Sequence, residues 1–273
     1  MKSQIIKIYG ERNTGTNYLF KLIELNLKAK LLPGSDPEFL RSIQRWLPGH
    51  EYLLDLYSSI TYKKNLGWKH SLVMQPEVLK SFKICSNDLH YITLTKNPYS
   101  WLLSLYKRPY HYNYKFSIFK DPYIRLLSLY RRPYHYTIKK LSFEQFLLTE
   151  WITTKRERTD KIVENPIELW NMKNRSYLNL HNNFDSLSMR YEELITNPED
   201  IISKIKQKFN VNYKHSSFKN ISRSTKGDNK DFSFYRKYYL DEQWKKELSD
   251  KSISIINKYL DKELIDYYDY NLL

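Results

Sequence analysis

Ile5-Ile6-Lys7-Ile8-Tyr9-Gly10-Glu11-Arg12-Asn13-Thr14-Gly15-Thr16-Asn17-Tyr18-Leu19-Phe20 is the stretch that decides how the rest of the chain reads. It predicts a strand, a tight loop and a helix. The first five residues are short, mostly apolar and β-branched. Leu19, Leu22, Ile23 and Leu27 follow at helical spacing and give that helix one buried face. Gly10 and Gly15 have four residues between them, the spacing of a phosphate-binding loop, G-x-x-x-x-G-K-[ST]. Such a loop works because successive backbone N–H groups and a helix N-terminus point at one anion. Two of its chemical groups are replaced. Thr16 stands where a nucleotide-hydrolysing loop has lysine, and Asn17 where it has the hydroxyl that holds magnesium. A positive charge survives earlier in the loop, at Arg12.

Working outward, the 273 residues suffice for one large α/β domain. Lys and Arg number 45 against 30 Asp and Glu, a net charge of +15. That excess favours an anionic partner, whether a nucleotide, a nucleic acid, an acidic glycan or a membrane surface. The basic residues are scattered along the chain, so solubility and compositional bias account for part of it. The single cysteine, Cys85, excludes an intrachain disulfide and fits a reducing compartment. No run approaches the roughly 20 apolar residues that span a bilayer. The expectation is a soluble, cytoplasmic protein with no membrane span.

Further along, residues 31–37 are turn-rich, 38–62 are amphipathic without a clear period, and 65–71 read as a short strand ending in Lys69 and His70. A short helix is predicted from Pro76. Leu89–Thr95 is the clearest strand, running into Lys96-Asn97-Pro98 and a helix carrying Trp101, Leu102 and Leu105. Helices follow from Ser142, from Pro166 and from Pro198, with a strand at Ser186–Tyr191 between the last two. The polar stretch 222–231 reads as a loop, and the rest as short helices. Strands alternating with helices imply a parallel sheet covered on both faces. No linker divides the chain, so residues 1–273 read as one domain. Within it, residues 97–112 recur as 121–136, a tandem duplication of 24 residues spanning about 97–140. Two copies do not make a solenoid. The first copy is expected to hold the fold's own position, because a good strand precedes it.

Four of these motifs, in this order, resemble the sulfotransferase family that uses 3′-phosphoadenosine 5′-phosphosulfate. Arg12-Asn13-Thr14-Gly15-Thr16-Asn17 is similar to the family's 5′-phosphosulfate loop. Lys96-Asn97-Pro98 with Ser104 is similar to its 3′-phosphate motif. Arg190-Tyr191-Glu192-Glu193-Leu194 resembles the family's Y-E-D-L, and Lys226-Gly227 its late donor-binding loop. The run Gly-Glu-Arg-Asn-x-Gly-Thr-Asn-Tyr-Leu with Gly-Trp-Lys-His resembles a mostly microbial subfamily. The resemblance implies a three-layer α/β fold, a parallel sheet flanked by helices and related to P-loop nucleotide-binding proteins. It implies an enzyme that moves a sulfuryl group to an acceptor hydroxyl or amine, with no metal; the abundance of aromatic and basic residues, which suit sugar faces and acidic groups, favours a glycan as the acceptor. The chain departs from the pattern in three places. Asn13 stands where the loop usually has lysine, which hands that charge to Arg12. Lys96 stands where arginine is usual and offers no bidentate fork. Ser224-Thr225 precede Lys226, leaving Arg223 as the nearest arginine.

The implied donor-binding set is Arg12, Asn13, Thr14, Gly15, Thr16, Asn17, Tyr18, Lys96, Ser104, Tyr191, Lys226 and Gly227. The implied catalytic set is His70 as base with Lys69 and Arg12. Glu11 and Glu51 are the next candidates for the base. Tyr18, Trp68 and Tyr191 could equally be packing residues, and Lys120 with Ser128 in the second copy are expected to bind nothing. Two other functions remain open. A kinase-like phosphotransferase would need a cation and a magnesium ligand after Gly15. A non-enzymatic polyanion or nucleic-acid binder would bind with steep salt dependence.

Overall fold

β1 (Ile5–Gly10) is buried from Ile6 onward, as a central strand with both faces covered must be. Its side chains alternate between two cores. Ile6 and Ile8 meet Leu19, Leu22 and Ile23 of α1 (Thr16–Asn26), while Tyr9 packs on the opposite face with Leu66, Tyr91 and Tyr177. The computed structural model describes residues 4–44, 50–85, 88–108, 141–159, 162–222 and 230–273. After α1 come β2 (Lys30–Leu31), α2 (Glu38–Gln44), α3 (His50–Asn65), α4 (Pro76–Lys80), β3 (Leu89–Thr95) and α5 (Pro98–Lys107). Then follow α6 (Phe143–Leu147), β4 (Trp151–Ile152), β5 (Ile162–Val163), α7 (Pro166–His181) and β6 (Ser186–Arg190). The chain ends with α8 (Tyr191–Thr196), α9 (Pro198–Lys208), α10 (Phe232–Leu240), α11 (Asp250–Tyr259) and α12 (Lys262–Tyr267).

The main sheet runs β2-β1-β3-β6 with every pair parallel. α1 and α9 cover one face, α7 the other, giving the expected three-layer α/β architecture. Three helices start on the same dipeptide. Asn97, Asn165 and Asn197 each accept amide hydrogen bonds from the first turn, and the proline that follows needs no donor there. Ser142 caps α6 in a reciprocal box with Gln145. A third core, around Trp101, Phe146, Trp151, Trp170, Trp244 and Tyr268, takes up much of the aromatic content beside the sheet.

Two expectations change. Residues 65–71 form no strand: Leu66 and Gly67 both take positive φ, 61° and 77°, so the chain turns there. Within 38–62, residues 38–44 form α2 and 50–62 lie in α3, whose uneven apolar spacing hid them. The β2 edge, the antiparallel β4–β5 pair and α8 had no legible signal, since two-residue strands and a six-residue helix carry too little period.

β1 connects outward to β2, then the chain crosses to β3 on its other side. The crevice between the carboxyl ends of β1 and β3 is therefore a topological switch point, where ligands of open parallel sheets bind. Gly10 at the end of β1 lies in register with Leu94 of β3.

Candidate functional site

The loop Glu11–Gly15 leaves β1 at this crevice. Thr14 folds it, donating from N and Oγ1 to the carbonyl of Glu11 at 3.2 and 2.5 Å. Asn13 and Gly15 both have positive φ, 65° and 86°, and Gly15 starts α1 with no side chain capping it. The first amides of α1 are left for an anion. Neither glycine tolerates a side chain. A Cβ on Gly10 would sit 2.7 Å from the Leu94 carbonyl, and one on Gly15 2.7 Å from the Tyr191 ring.

Lys69 and His70 reach the same place from the turn after α3. Gly10 N donates to the Lys69 carbonyl at 3.0 Å, and Lys69 N to that of Gly34 at 2.9 Å. The Lys69 ammonium donates to Asn17 Oδ1 in the first turn of α1. The cation that the sequence lacks at Thr16 thus comes from a neighbouring segment. His70 Nδ1 is 2.6 Å from the Gly10 carbonyl. A carbonyl can only accept, so Nδ1 carries the proton and Nε2 keeps its lone pair. Burial, then Lys69 and Arg12, hold the imidazole well below the ordinary histidine range, hence neutral.

The Arg12 guanidinium lies 4.4 Å from the centre of the Trp68 ring, and that of Arg156 4.7 Å from the same ring. The His70 ring meets the indole edge-on at 4.9 Å. Arg156 is also 3.4 Å from Asp55. Arg12 is thus built into a stack beside the base. Its carbonyl accepts from Trp101 Nε1 at 2.7 Å, which ties the loop to α5.

On the other side of the loop stands Lys96, 1% exposed, its ammonium 2.9 Å from Ser104 Oγ. The eight-residue separation brings them together because Lys96 directly follows β3 while Ser104 lies two turns into α5. Asn13 Nδ2 donates to the Ser104 carbonyl at 3.3 Å, joining this pair to the loop. The Tyr239 ring is 3.8 Å from the Lys96 ammonium and the Tyr191 ring 5.2 Å. Burial, partly offset by Glu192, lowers Lys96 to about 7. Glu192 accepts from Asn97 N at 3.1 Å and from the Tyr270 hydroxyl at 2.9 Å.

The structure therefore gathers Arg12 to Asn17, Lys69, His70, Lys96, Ser104 and Tyr191 around one crevice. Tyr18 meets residues on either side of the late loop: its hydroxyl donates to Asn220 Oδ1 at 2.6 Å and its ring packs on Phe232. Ser222 and Phe232, which flank that loop, are bonded at 3.0 Å. Lys226, Gly227 and Arg223 lie outside the described residues, as do Lys120, Ser128 and the side chain of Glu51. Glu11 is turned inward onto Lys173 at 3.2 Å and away from the base position. Sequence reasoning missed Lys7, Lys173, Glu157 and Tyr239. Lys7 alone gave a signal, a lysine inside an apolar strand.

A cleft of 520 Å³ opens on the β6 side, lined among others by Arg190, Glu192, Tyr239, Trp244 and Tyr270. Its lining includes neither the loop, Lys69, His70 nor Lys96, so this cleft and the cationic crevice are different places. Among the described residues no group of three or more His, Cys, Asp or Glu is placed to hold a metal, and no helix is long and apolar enough to cross a membrane.

No family model matches the chain, and no curated protein matches it. Among solved structures it is similar to the sulfotransferase domain from the curacin biosynthetic pathway. The identity is 12%, covering 100% of this chain and 99% of that one, with a TM-score of 0.39. So weak a likeness carries no argument, and the fold stands on its own sheet order and loop.

Proposed function

We propose that this protein transfers a sulfuryl group from 3′-phosphoadenosine 5′-phosphosulfate to an acceptor hydroxyl or amine. The observation that carries the reading is one loop flanked by two cationic centres at the switch point. Lys69 stands at the start of α1 on one side, and Lys96 with Ser104 on the other. Two such centres suit a nucleotide bearing phosphates at both its 5′ and 3′ positions.

The donor supplies an electrophilic sulfur and a phosphate leaving group. The amides at the start of α1 and the Lys69 ammonium stabilise charge on the departing phosphate oxygen, where fixed donors lower a barrier most. Lys96 and Ser104 hold the 3′-phosphate, which aligns the donor. His70 Nε2 takes the acceptor's proton as the acceptor oxygen or nitrogen bonds to sulfur and the old S–O bond breaks toward phosphate. A glycan acceptor fits the basic, aromatic-rich composition and stays part of the proposal. So do the cytoplasmic setting and the roles of Tyr18, Lys226 and Gly227.

His70→Ala tests this reading. Transfer to an acceptor panel should fall about 100-fold or more, the usual share of a general base. Stabilisation by 3′-phosphoadenosine 5′-phosphate should persist. Undiminished transfer would remove His70 from the mechanism. A kinase-like reading gains from Lys69, which restores a cation at the helix start. It still lacks the hydroxyl replaced by Asn17, and metal dependence separates the two.

A further inference from the structure

One ammonium outside the proposed donor contacts joins three segments of the site. Lys173, on α7, is 0% exposed. Its Nζ donates to the His70 carbonyl and lies 3.2 Å from both Glu11 Oε2 and Glu157 Oε2. Glu11 belongs to the phosphate loop and accepts from Arg12 N at 2.6 Å. Glu157 belongs to a 3-10 turn at 155–157, whose carbonyl accepts from Leu72 N at 2.7 Å, two residues beyond His70. Val73 N donates in turn to Ser176 Oγ on α7 at 3.3 Å. Both carboxylates are buried.

Burying one cation with two carboxylates is costly, and well-packed apolar side chains fill such space at least as stably. What leucine could not do is fix a backbone carbonyl and a loop carboxylate at hydrogen-bond distance from a single point. We infer that Lys173 is a positioning residue, holding the His70 backbone and Glu11 in one register so that the imidazole keeps Nδ1 on Gly10 and presents Nε2 beside the phosphate loop. Its importance for catalysis rests on the function proposed above, but the placement of the imidazole does not.

The charged groups around His70 are Lys69 beside it, Arg12 from the phosphate loop and Lys173 from α7, with Glu11 and Glu157 behind Lys173. Loss of the Lys173 charge therefore relieves part of the pressure that keeps the imidazole neutral.

The test is histidine-selective 15N NMR, with His70 assigned by its absence in His70→Gln. Two variants are used. K173M/E157Q removes a buried charge of each sign, and K173Q keeps one donor for the His70 carbonyl. In the parent, His70 should hold the Nδ1–H tautomer and stay neutral well below the ordinary histidine range. In K173M/E157Q it should populate both tautomers and its titration midpoint should rise. In K173Q the tautomer should persist while the midpoint rises, and the other histidines should not move. An unchanged His70 spectrum in either folded variant overturns the inference. Failure of both variants to fold overturns it too, because Lys173 then serves the core alone. Melting the parent with 3′-phosphoadenosine 5′-phosphate is read separately, so a missing donor site is not mistaken for a failed Lys173.

Discussion

Lys96 is half-neutral near pH 7 in the free protein, because two tyrosine rings and α5 replace its water while Glu192 returns only part of the lost stabilisation. A phosphate placed on it favours the ammonium and raises its pKa. Binding of the bisphosphate at pH 8 should therefore take up close to one proton per molecule, and affinity should fall as pH rises above about 7. Calorimetry in two buffers of different ionisation enthalpy reads this directly, and no proton uptake would place the 3′-phosphate elsewhere. The sign for stability is the reverse of the usual salt-bridged case. The folded pKa is below the unfolded one, so the cost is full below about pH 7 and disappears above the ordinary lysine value. This group alone makes the free protein more stable as pH rises through that window. Lys96 and Ser104 were legible through the family resemblance, and the structure brings them together because eight residues across a strand end and a helix is a local relation. Tyr239, whose ring is nearest the same ammonium, lies 135 residues beyond Ser104 and no periodicity could pair them.

At the scale of elements, β1 does more than centre the sheet. Lys7, 0% exposed, donates to the carbonyls of Pro33 at 3.0 Å, Asn65 at 2.7 Å and Gly67, and the Tyr9 hydroxyl to that of Leu66 at 2.7 Å. These bonds hold the left-handed turn that delivers Lys69 and His70. Lys7→Met leaves three carbonyls without their donor, each worth about 1–3 kcal/mol when buried. A loss of about 3 kcal/mol or more in urea unfolding is expected, together with weaker stabilisation by the bisphosphate. A loss below about 1 kcal/mol would mean that the turn holds itself. Strand β3 and helices α1, α5, α7 and α9 were readable from period and Asn-Pro caps. The turn at 65–71 was not. Alternating Leu66 and Trp68 imitate a strand, and the groups that fix the turn come from a strand some 60 residues earlier.

Over the whole molecule, parallel strands on either side of a switch point bring together residues from four separate stretches of chain. The first copy of the repeat supplies α5, with Ser104 on Lys96 and Trp101 in the core, so the extra sequence of the duplication should be dispensable. Deleting residues 109–132 joins Arg108 to Pro133 and leaves one copy of the repeat. The shortened protein should fold within about 1 kcal/mol of the parent, since loop entropy changes slowly with length. It should also still bind the bisphosphate. Aggregation of the shortened chain would show that the second copy belongs to the core. The net charge of +15 acts on the same scale and attracts any polyanion, so binding tests belong at fixed moderate salt.

The central claim is a metal-independent site for a 3′,5′-bisphosphorylated nucleotide. Its most direct test is the melting temperature with 3′-phosphoadenosine 5′-phosphate and, separately, with ATP, each with and without magnesium. At a ligand concentration one hundred times Kd the stabilisation is about 2.7 kcal/mol, roughly 5–10 °C for a domain of this size. The bisphosphate should stabilise the protein more than ATP does, and equally with or without magnesium. No shift with the bisphosphate, together with a magnesium-dependent shift with ATP, would contradict it and favour a phosphotransferase.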